Sequence, residues 1–443
     1  MKMKSKENGL ILTLCFIVLS GVMNSILFNV ALVDMKGELG VTTSMISWVV
    51  ILYTLVIAFG SITYSKLASY FQLKTLLIFG VCMFVGGSII GSITNQYIFV
   101  IIARIIQSAG GSAFIALSMI IANQYMTASK RDLALTLISG CLSLGSGIGF
   151  LIGGTFTFLW GWHSLFLLML LVVLTLIGLF VVMPSGYANG KKITSPFDFI
   201  GLFYLLIFVV SFILGVKMNG YLLIITALSV VGLVTHGNRK DLALFVDLSV
   251  FRHFAFNRLL VISFVNNSAM VGIVFLFPLL TEQRFHHSAI GTGFILGVIS
   301  IFAFLISFIA KKSLHVISSK QLIGYSAIIE LIGFLILATV GVRQSVFATL
   351  GVFSIYIAFT MMTVAINIEI PQTIEKDKNA MGLGIYNLIN FLGMSFGPAI
   401  SSRILESFTH FSYAFTFFVT MLILPIILSL IGSNQLSSKH AKL

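Results

Sequence analysis

The stretch GSGIGFLIGG, Gly145 to Gly154, places five glycines within ten residues of an otherwise apolar segment. Gly145, Gly149 and Gly153 recur at intervals of four residues, so they share one face of a helix. Each glycine costs about 1 kcal/mol relative to alanine in a soluble helix, but it lets two membrane helices approach closely. The pattern therefore predicts a helix packed tightly on another, either as a fixed contact or as a seam that opens and closes.

The composition around this stretch is that of an integral membrane protein. The chain has 443 residues, of which 58% are hydrophobic and 9% charged, and its mean hydropathy is +1.10. Soluble domains carry about 25% charged residues. Apolar runs of about 20 residues, each able to cross a hydrocarbon core as a helix, recur along nearly the whole length. The first run, from about Leu10, exceeds the apolar part of a signal peptide, so we expect it to be retained.

Fourteen runs are predicted as membrane spans, and the glycine stretch lies in the fifth. They cover residues 10–32, 46–67, 75–93, 97–122, 133–157, 163–183, 199–216, 219–236, 259–281, 288–310, 321–341, 345–367, 383–404 and 409–432. With both termini in the cytoplasm, twenty of the 26 Lys and Arg residues fall inside and five outside, while Arg104 lies within span 4. This asymmetry follows the positive-inside rule. The net charge of +13 therefore reflects membrane topology and does not indicate nucleic acid binding.

Motifs of other protein classes are missing from the sequence. The three cysteines fall within spans and have no nearby Cys or His at ligand spacing, so no disulfide or metal site is predicted. No GxxxxGK[ST], HExxH or GxSxG motif occurs. A membrane enzyme would need clustered His or acidic residues within its spans, and a channel would need a ring of polar residues. We expect neither an enzyme nor a protein that needs a cofactor.

Two short inner loops suggest that the chain contains a duplicated half. SKLASYFQLKTLL (65–77) follows span 2 and KKSLHVISSKQLI (311–323) follows span 10, and each contains two lysines eight residues apart. Each loop would join the second and third helices of a six-helix bundle. The predicted divisions are an N-terminal six-helix bundle, an insert with helices 7 and 8, and a C-terminal six-helix bundle with a short tail: 1–183, 184–257 and 258–443.

Four stretches resemble signatures of one transporter family. GCLSLGSGIGFLIGG is similar to the fifth-helix signature GxxxGPxxGG of exporters in the major facilitator superfamily. ARIIQSAGGSAF resembles RxxQGxG, with Arg104 and Gln107 in register. SWVVILYTL and NSILFNVALVDM resemble helix patterns of the fourteen-helix drug:proton antiporter branch, which includes tetracycline and multidrug exporters. The resemblance covers almost the whole chain and implies a major facilitator fold, with two six-helix bundles and two inserted central helices.

Several positions depart from that family pattern. Asn24 stands where the branch often has an Asp, and Ser69 where the loop after span 2 has an acidic residue. Val33 and Phe150 replace prolines, and Gly161 replaces a frequent Arg. These changes leave the resemblance to the superfamily intact, but they remove the usual proton-carrying carboxylate.

Few charged residues remain that could couple an ion to transport. From the rise per residue of a helix, Arg104 lies about 10 Å from the outer face. It has either a functional role or a structural one, in which it binds backbone carbonyl groups. Glu330 lies near the bilayer midplane, where a carboxyl group either exchanges a proton or forms a structural hydrogen bond. Asp34 and Glu369 lie at span ends, either along the cavity or as interfacial charges. We rank Asp34 first, because it could meet Arg104, then Glu330, then Glu369.

Amide side chains within the spans are the candidates for contact with a substrate in an otherwise apolar, aromatic cavity. For each amide, a hydrogen bond between helices is an equally good explanation. The candidates are Asn24, Asn29, Gln107, Asn266, Asn267, Asn387 and Asn390. The resemblance also implies that the glycine helix lies where the two halves meet, which would put Gly145, Gly149, Gly153 and Gly154 in a moving seam.

The resemblance implies a secondary transporter of the cell membrane that exports hydrophobic or amphiphilic drugs, as in antibiotic resistance, by alternating access. The coupling ion would be a proton or Na⁺. An exporter of a natural metabolite or siderophore on the same scaffold is an alternative, and one glycine signature does not separate export from import. The expected partners are a drug-like molecule, the coupling ion and the lipid bilayer, and we expect a monomer.

Overall fold

The computed structural model describes residues 2–68, 70–183, 198–237, 248–314, 316–374 and 379–431. These residues are almost entirely helical, and no strand occurs among them. The main helices, labelled α1 to α14 in chain order, are Lys2–Leu39, Thr43–Leu67, Leu73–Ile93, Tyr97–Tyr125, Ala128–Trp160, His163–Val182, Phe199–Lys217, Leu222–Gly237, Phe254–Phe285, Ala289–Ser313, Ser319–Gly341, Ser345–Glu369, Asn379–Phe408 and Phe411–Ile431.

The helices confirm an all-α membrane protein. Within the described ranges, twelve helices are long and apolar enough to cross a membrane. Two more apolar segments are shorter, Gly147–Trp160 at the end of α5 and the whole of α8. Each predicted span falls on one helix, and α5 as a whole has 33 residues. The count of fourteen membrane crossings stays a prediction.

The start and the buried face of α11 determine the position of Glu330. Ser318 and Gln321 form a capping box, in which the Ser318 side chain accepts from the Gln321 N–H and the Gln321 side chain accepts from the Ser318 N–H. From this start, buried side chains recur every three or four residues, at Leu322, Ser326, Glu330 and Phe334. Glu330 therefore belongs to the face of α11 that packs inside the protein.

The chain forms two compact units. The first contains Met1–Val210, Thr226–Phe245 and Ser288–Gly297, and the second contains Ser211–Ile225, Val246–His287 and Val298–Leu443. In the first unit α1 packs on α5 and α3 packs on α4. In the second unit α9 packs on α13 and α11 packs on α12. The two units thus use the same pairs of helices, counted from the start of each predicted bundle.

The glycine face of α5 packs against α1 within the first unit. A Cβ atom at Gly149 would lie 3.2 Å from Cβ of Ile26, and one at Gly153 would lie 2.6 Å from the carbonyl oxygen of Leu27. Gly145 meets Val22 in the same way. These three glycines therefore let α5 approach α1 closely, as small residues do between membrane helices. Their place in a moving seam between the halves stays a prediction.

Gly154 lies on another face of α5 and meets α10. A Cβ atom there would lie 2.6 Å from the carbonyl oxygen of Ala289 and 3.0 Å from Cα of Gly293, both in the first unit. The backbones of α5 and α10 therefore touch directly at this position. Gly154 alone among the four glycines contacts a helix of the predicted C-terminal bundle.

The crossing of α5 with α1 has a counterpart in the second unit. There, Gly393 and Gly397 of α13 lie against α9, and a Cβ atom at Gly393 would lie 2.6 Å from the carbonyl oxygen of Phe264. A Cβ atom at Gly397 would overlap the carbonyl oxygen of Ser268. The crossing of α13 with α9 is therefore the tighter of the two.

The crossing of α3 with α4 also has a counterpart in the second unit. Gly87 of α3 meets α4, where a Cβ atom would lie 2.6 Å from both the Ala103 carbonyl oxygen and the Gln107 amide nitrogen. Gly333 of α11 meets α12, where the matching distances are 2.8 Å to the Gly351 carbonyl oxygen and 3.3 Å to the Ile355 amide nitrogen. Aligning the loop lysines Lys74 and Lys320 also pairs Gly87 with Gly333. Position 104 of α4 therefore corresponds to Val352 of α12.

Candidate functional site

Arg104 lies in a fully buried polar cluster of the first unit. Its Nε donates to the carbonyl oxygen of Val49 at 3.2 Å. Its Nη1 donates to Gln107 Oε1 at 2.8 Å and to Asn24 Oδ1 at 3.4 Å. The guanidinium group thus joins α4 to α1 and α2, and two of the three acceptors are side chains that the sequence had singled out.

Two aromatic rings flank the same guanidinium group. Its central carbon lies 4.2 Å from the ring centre of Phe28 and 4.0 Å from that of Tyr53. A cation over an aromatic face gains about 2 kcal/mol when both groups are desolvated. Among the described residues none of the partners of Arg104 is acidic, so neutral oxygens and ring faces stabilise its charge.

The cluster extends from Arg104 to α3 through Gln107. The Gln107 Nε2 donates to Ser88 Oγ at 2.8 Å, and the Ser88 hydroxyl donates to the Phe84 carbonyl oxygen at 2.8 Å. The Tyr53 hydroxyl donates to the Gly21 carbonyl oxygen at 3.4 Å. All four of the first helices therefore meet at one polar network. The sequence motif did not reveal that Ser88 and Phe28 belong to it.

Asp34 lies away from this network. It is exposed, and its electrostatic neighbour is Glu38, which accepts a hydrogen bond from Trp162 Nε1 at 2.7 Å. The α1 residues that reach Arg104 are Asn24 and Phe28, and Asn24 lies ten positions before Asp34, about 15 Å along the helix. The predicted meeting of Asp34 with Arg104 is not found, because helix length separates the acid from the depth of the arginine.

Glu330 lies in the second unit, and no polar partner of its side chain occurs among the described residues. Its side chain is fully buried, and neither carboxylate oxygen has a hydrogen-bond partner among the described residues. One turn further along α11, Phe334 packs on Phe418 with ring centres 5.1 Å apart. Glu330 is therefore an isolated carboxyl group in an apolar layer, where the charged form is costly.

Glu369, in contrast, is paired. Its Oε1 accepts a hydrogen bond from Arg258 Nη2 at 2.8 Å, and the two side chains are 13% and 3% exposed. Lys320 is a further cation near this pair. Arg258 lies near the start of α9 and Glu369 ends α12, so the ion pair joins two helices at one face of the second unit. The sequence analysis had counted Arg258 only as an inner cation.

Besides Asn24 and Gln107 of the Arg104 network, the other five predicted amides fall into three groups. Asn267 and Asn390 form one cluster with Ser263, in which Asn390 Oδ1 accepts from the Ser263 hydroxyl and from Asn267 Nδ2. Asn29 Nδ2 donates to carbonyl oxygens of its own helix, and Asn266 Nδ2 donates to Thr363 Oγ1 at 3.1 Å. Both of these amides keep a buried oxygen without a partner among the described residues. The last amide, Asn387, is exposed.

These features define a multi-pass membrane transporter, with buried charges and amides distributed over two helical units. A family model for the Major Facilitator Superfamily matches residues 13–398. The chain belongs to this superfamily, as its four sequence stretches had indicated.

Relatives that match most of the chain are transporters, and their sequence identity to it is low. An uncharacterised MFS-type transporter, YvkA of Bacillus subtilis (strain 168), is 23% identical over 96% of this chain and 96% of its own. The multidrug transporter protein MdtP of the same organism is 23% identical over 90% of this chain and 74% of its own. The riboflavin transporter RibZ of Clostridioides difficile (strain 630) is 24% identical over 92% of this chain and 90% of its own.

A solved structure shares the fold. It is a POT family transporter in complex with 5-aminolevulinic acid, with a TM-score of 0.73 and 14% identity over 96% of this chain and 94% of that chain. The relatives and this structure are transporters, in agreement with the expectation that the chain is not an enzyme.

Proposed function

We propose that this protein exports hydrophobic or amphiphilic small molecules across the cell membrane in exchange for protons, by alternating access. The resemblance of GCLSLGSGIGFLIGG to the exporter signature supports the direction of transport. A relative named as a multidrug transporter, similar over 90% of this chain, supports the substrate class. The positive-inside asymmetry supports an orientation with both termini in the cytoplasm.

The observation that supports coupling of transport to protons is the isolated carboxyl group of Glu330. It is fully buried and has no partner among the described residues, so its lower-energy form in this layer is the neutral acid. A proton can leave only when the transport cycle exposes the group to water or brings a cation to it. Loss and gain of that proton on opposite sides of the membrane would link proton movement to the change of state.

The other charged candidates take different roles in this proposal. Glu369 is held by Arg258, and Asp34 is already exposed, so each is a poorer proton carrier than Glu330. Arg104 stays charged within its network and positions the first four helices. Among the four glycines, the gating role is proposed first for Gly154, at its contact with α10.

The substrate contacts that we propose are the buried amides. Asn29 and Asn266 lie in the first helix of each bundle, and each keeps an amide oxygen that no described residue satisfies. An unpaired buried acceptor costs about 1–3 kcal/mol, and a substrate that donates an N–H or O–H there removes that cost. The site would therefore select amphiphilic molecules with at least one donor over pure hydrocarbons.

A natural metabolite is the second candidate substrate. The riboflavin transporter RibZ, similar over 92% of this chain, favours it. Riboflavin combines an aromatic ring system with many hydrogen-bond donors, which suits a cavity with apolar walls and amide oxygens. Competition between a flavin and a cationic dye for the same transport step would separate the two candidates.

Everted membrane vesicles provide the test of function. We expect an imposed inward-acid gradient to drive uptake of a fluorescent amphiphilic dye, and nigericin, which dissipates the pH gradient, to stop it. A sodium gradient without a pH gradient is the matched arm. Uptake with sodium alone would replace the proton by Na⁺, and no uptake under either gradient with any dye or flavin would refute gradient-driven export.

A further inference from the structure

The second unit contains a pocket whose lining is rich in cationic side chains. A cavity of about 610 Å³ opens among the ends of four helices and is lined by Arg284, Arg343 and His410, together with parts of α11 and the start of α14. Its lining residues are Arg284, Ala338, Thr339, Val340, Val342, Arg343, His410, Phe411 and Ser412. No acidic side chain belongs to that lining, so the pocket has a positive potential.

The two arginines and His410 lie on one face of the membrane. Arg284 is next to the last residue of α9, Arg343 lies between α11 and α12, and His410 lies between α13 and α14. Successive spans alternate in direction, so these three connections share a side, at the depth of lipid headgroups. By the predicted topology this is the outer side, which carries only five Lys and Arg residues.

The arginines of the pocket have no side-chain partner within the part of the chain that the structure describes. Two other cations of this side are engaged, since Lys217 Nζ donates to Ser402 Oγ at 2.8 Å and Arg403 Nη1 donates to the Val216 carbonyl oxygen at 2.6 Å. Arg284 and Arg343 are exposed, and neither guanidinium group has a hydrogen-bond or ion-pair partner among the described residues. Two arginine forks are therefore free to bind an anion.

Backbone and apolar groups add to the pocket. Phe411 and Ser412 begin α14, and the first N–H groups of a helix have no acceptor within it and favour negative charge. Beside the pocket, Val340, Phe408 and Tyr413 are 39%, 55% and 53% exposed. An anion bound here would thus have apolar side chains next to it.

We propose that this pocket binds the headgroup of an anionic phospholipid, with its phosphate held by Arg284 and Arg343 and its acyl chains lying over Val340, Phe408 and Tyr413. The cavity is within the range of about 300–1,000 Å³ for small-molecule sites and is much larger than one phosphate needs. Basic pockets between membrane helices bind lipid headgroups by this chemistry. The adjoining apolar side chains favour a lipid over a free phosphate ion.

The test uses the purified full-length protein in detergent. Dioctanoyl phosphatidylglycerol, dioctanoyl phosphatidylcholine and inorganic phosphate are titrated separately, and binding is followed by native mass spectrometry and by the thermal midpoint. We expect phosphatidylglycerol to bind at least tenfold more tightly than either of the other two probes. The double substitution Arg284→Gln with Arg343→Gln should weaken its binding at least tenfold, and Lys36→Gln, which removes an outer cation of the first unit, should leave it unchanged.

Each outcome decides the proposal. Equal binding of phosphatidylcholine would exclude recognition of the net charge, and equal binding of inorganic phosphate would make the pocket a site for a soluble anion. Unchanged binding in the double variant would exclude the arginines. If that variant elutes as aggregate, two milder changes replace it. Arg343→Gln, in an exposed turn, removes one charge and should weaken binding of phosphatidylglycerol. The double change Arg284→Lys with Arg343→Lys keeps both charges and tests whether the guanidinium groups are needed.

Discussion

The network around Arg104 and the layer around Glu330 occupy matching places in the two units but have opposite chemistry. The shared crossings pair Phe84 with Glu330 and Ser88 with Phe334, while Arg104 corresponds to Val352. In the first unit Phe84 packs on Phe114 with ring centres 5.0 Å apart, beside a satisfied cation. In the second unit a carboxyl group replaces that phenylalanine and the arginine is absent. The same helix crossings thus support a permanent charge in one unit and a titratable group in the other.

The glycine crossings allow this comparison to be tested through thermal stability. A Cβ atom at Gly397 would overlap a backbone oxygen, whereas one at Gly149 would meet the side chain of Ile26 at 3.2 Å. We expect Gly397→Ala to destabilise the protein by about 1–3 kcal/mol, as overpacking of a tight contact does, and Gly149→Ala to change it little. The thermal midpoint of the purified variants measures this, and equal shifts would remove the difference between the two crossings.

Substitution of Arg104 tests whether the network needs the guanidinium fork. Arg104→Lys keeps the charge but cannot donate to Val49, Gln107 and Asn24 in the same geometry. We expect export to fall about tenfold or more at matched protein amount, the effect of about 1.4 kcal/mol. Val352→Ala changes the matching position and serves as the control. Parent activity in Arg104→Lys would mean that only the charge matters there.

The ion pair of Arg258 with Glu369 should behave as a structural contact. Arg258→Gln leaves a carboxylate with 13% exposure and without its arginine partner, at a cost of about 3 kcal/mol. The double change Arg258→Gln with Glu369→Gln removes both charges and should recover most of the thermal stability. Coupled export should survive in the double variant. Loss of coupling at full stability would instead move the ion-carrying role to this pair.

Asp34→Asn should have the smallest effect. Asp34 is exposed, and its electrostatic neighbour is the like-charged Glu38, so its loss removes no attractive contact. We expect export and proton flux within about twofold of the parent, measured in vesicles at equal expression. A larger loss of proton flux would restore the sequence-based ranking that put Asp34 first.

The sequence predicted the helices and the superfamily well, because long apolar runs and glycine spacing follow directly from the demands of the bilayer. It predicted the partners of residues less well. Arg104 and Gln107 were found through a motif, but their contacts with Phe28 and Ser88 depend on how four helices pack, which no local pattern encodes. The same limit applies to the glycines, since the spacing of Gly149 and Gly153 predicted a close helix without showing that it is α1.

The candidate acids show the same difference between what a local sequence pattern predicts and what helix packing determines. Hydropathy predicted the depth of Glu330, but only the packed face of α11 shows that no described residue partners the carboxyl group. The sequence ranked Glu369 third by its place at a span end, and its pairing with Arg258 joins residues 111 positions apart. Contacts at that separation follow from tertiary structure, so the sequence-based ranking could not take this ion pair into account.

The most direct measurement is drug-induced proton flux in proteoliposomes that contain Glu330→Gln at the same protein amount as the parent. The account predicts no drug-induced proton flux in this variant, while drug binding and downhill exchange persist, because those steps need no net movement of protons. Glu369→Gln combined with Arg258→Gln is the control and should keep its flux. Parent-level proton flux in Glu330→Gln would contradict the central claim that the isolated carboxyl group of the second unit carries the coupling proton.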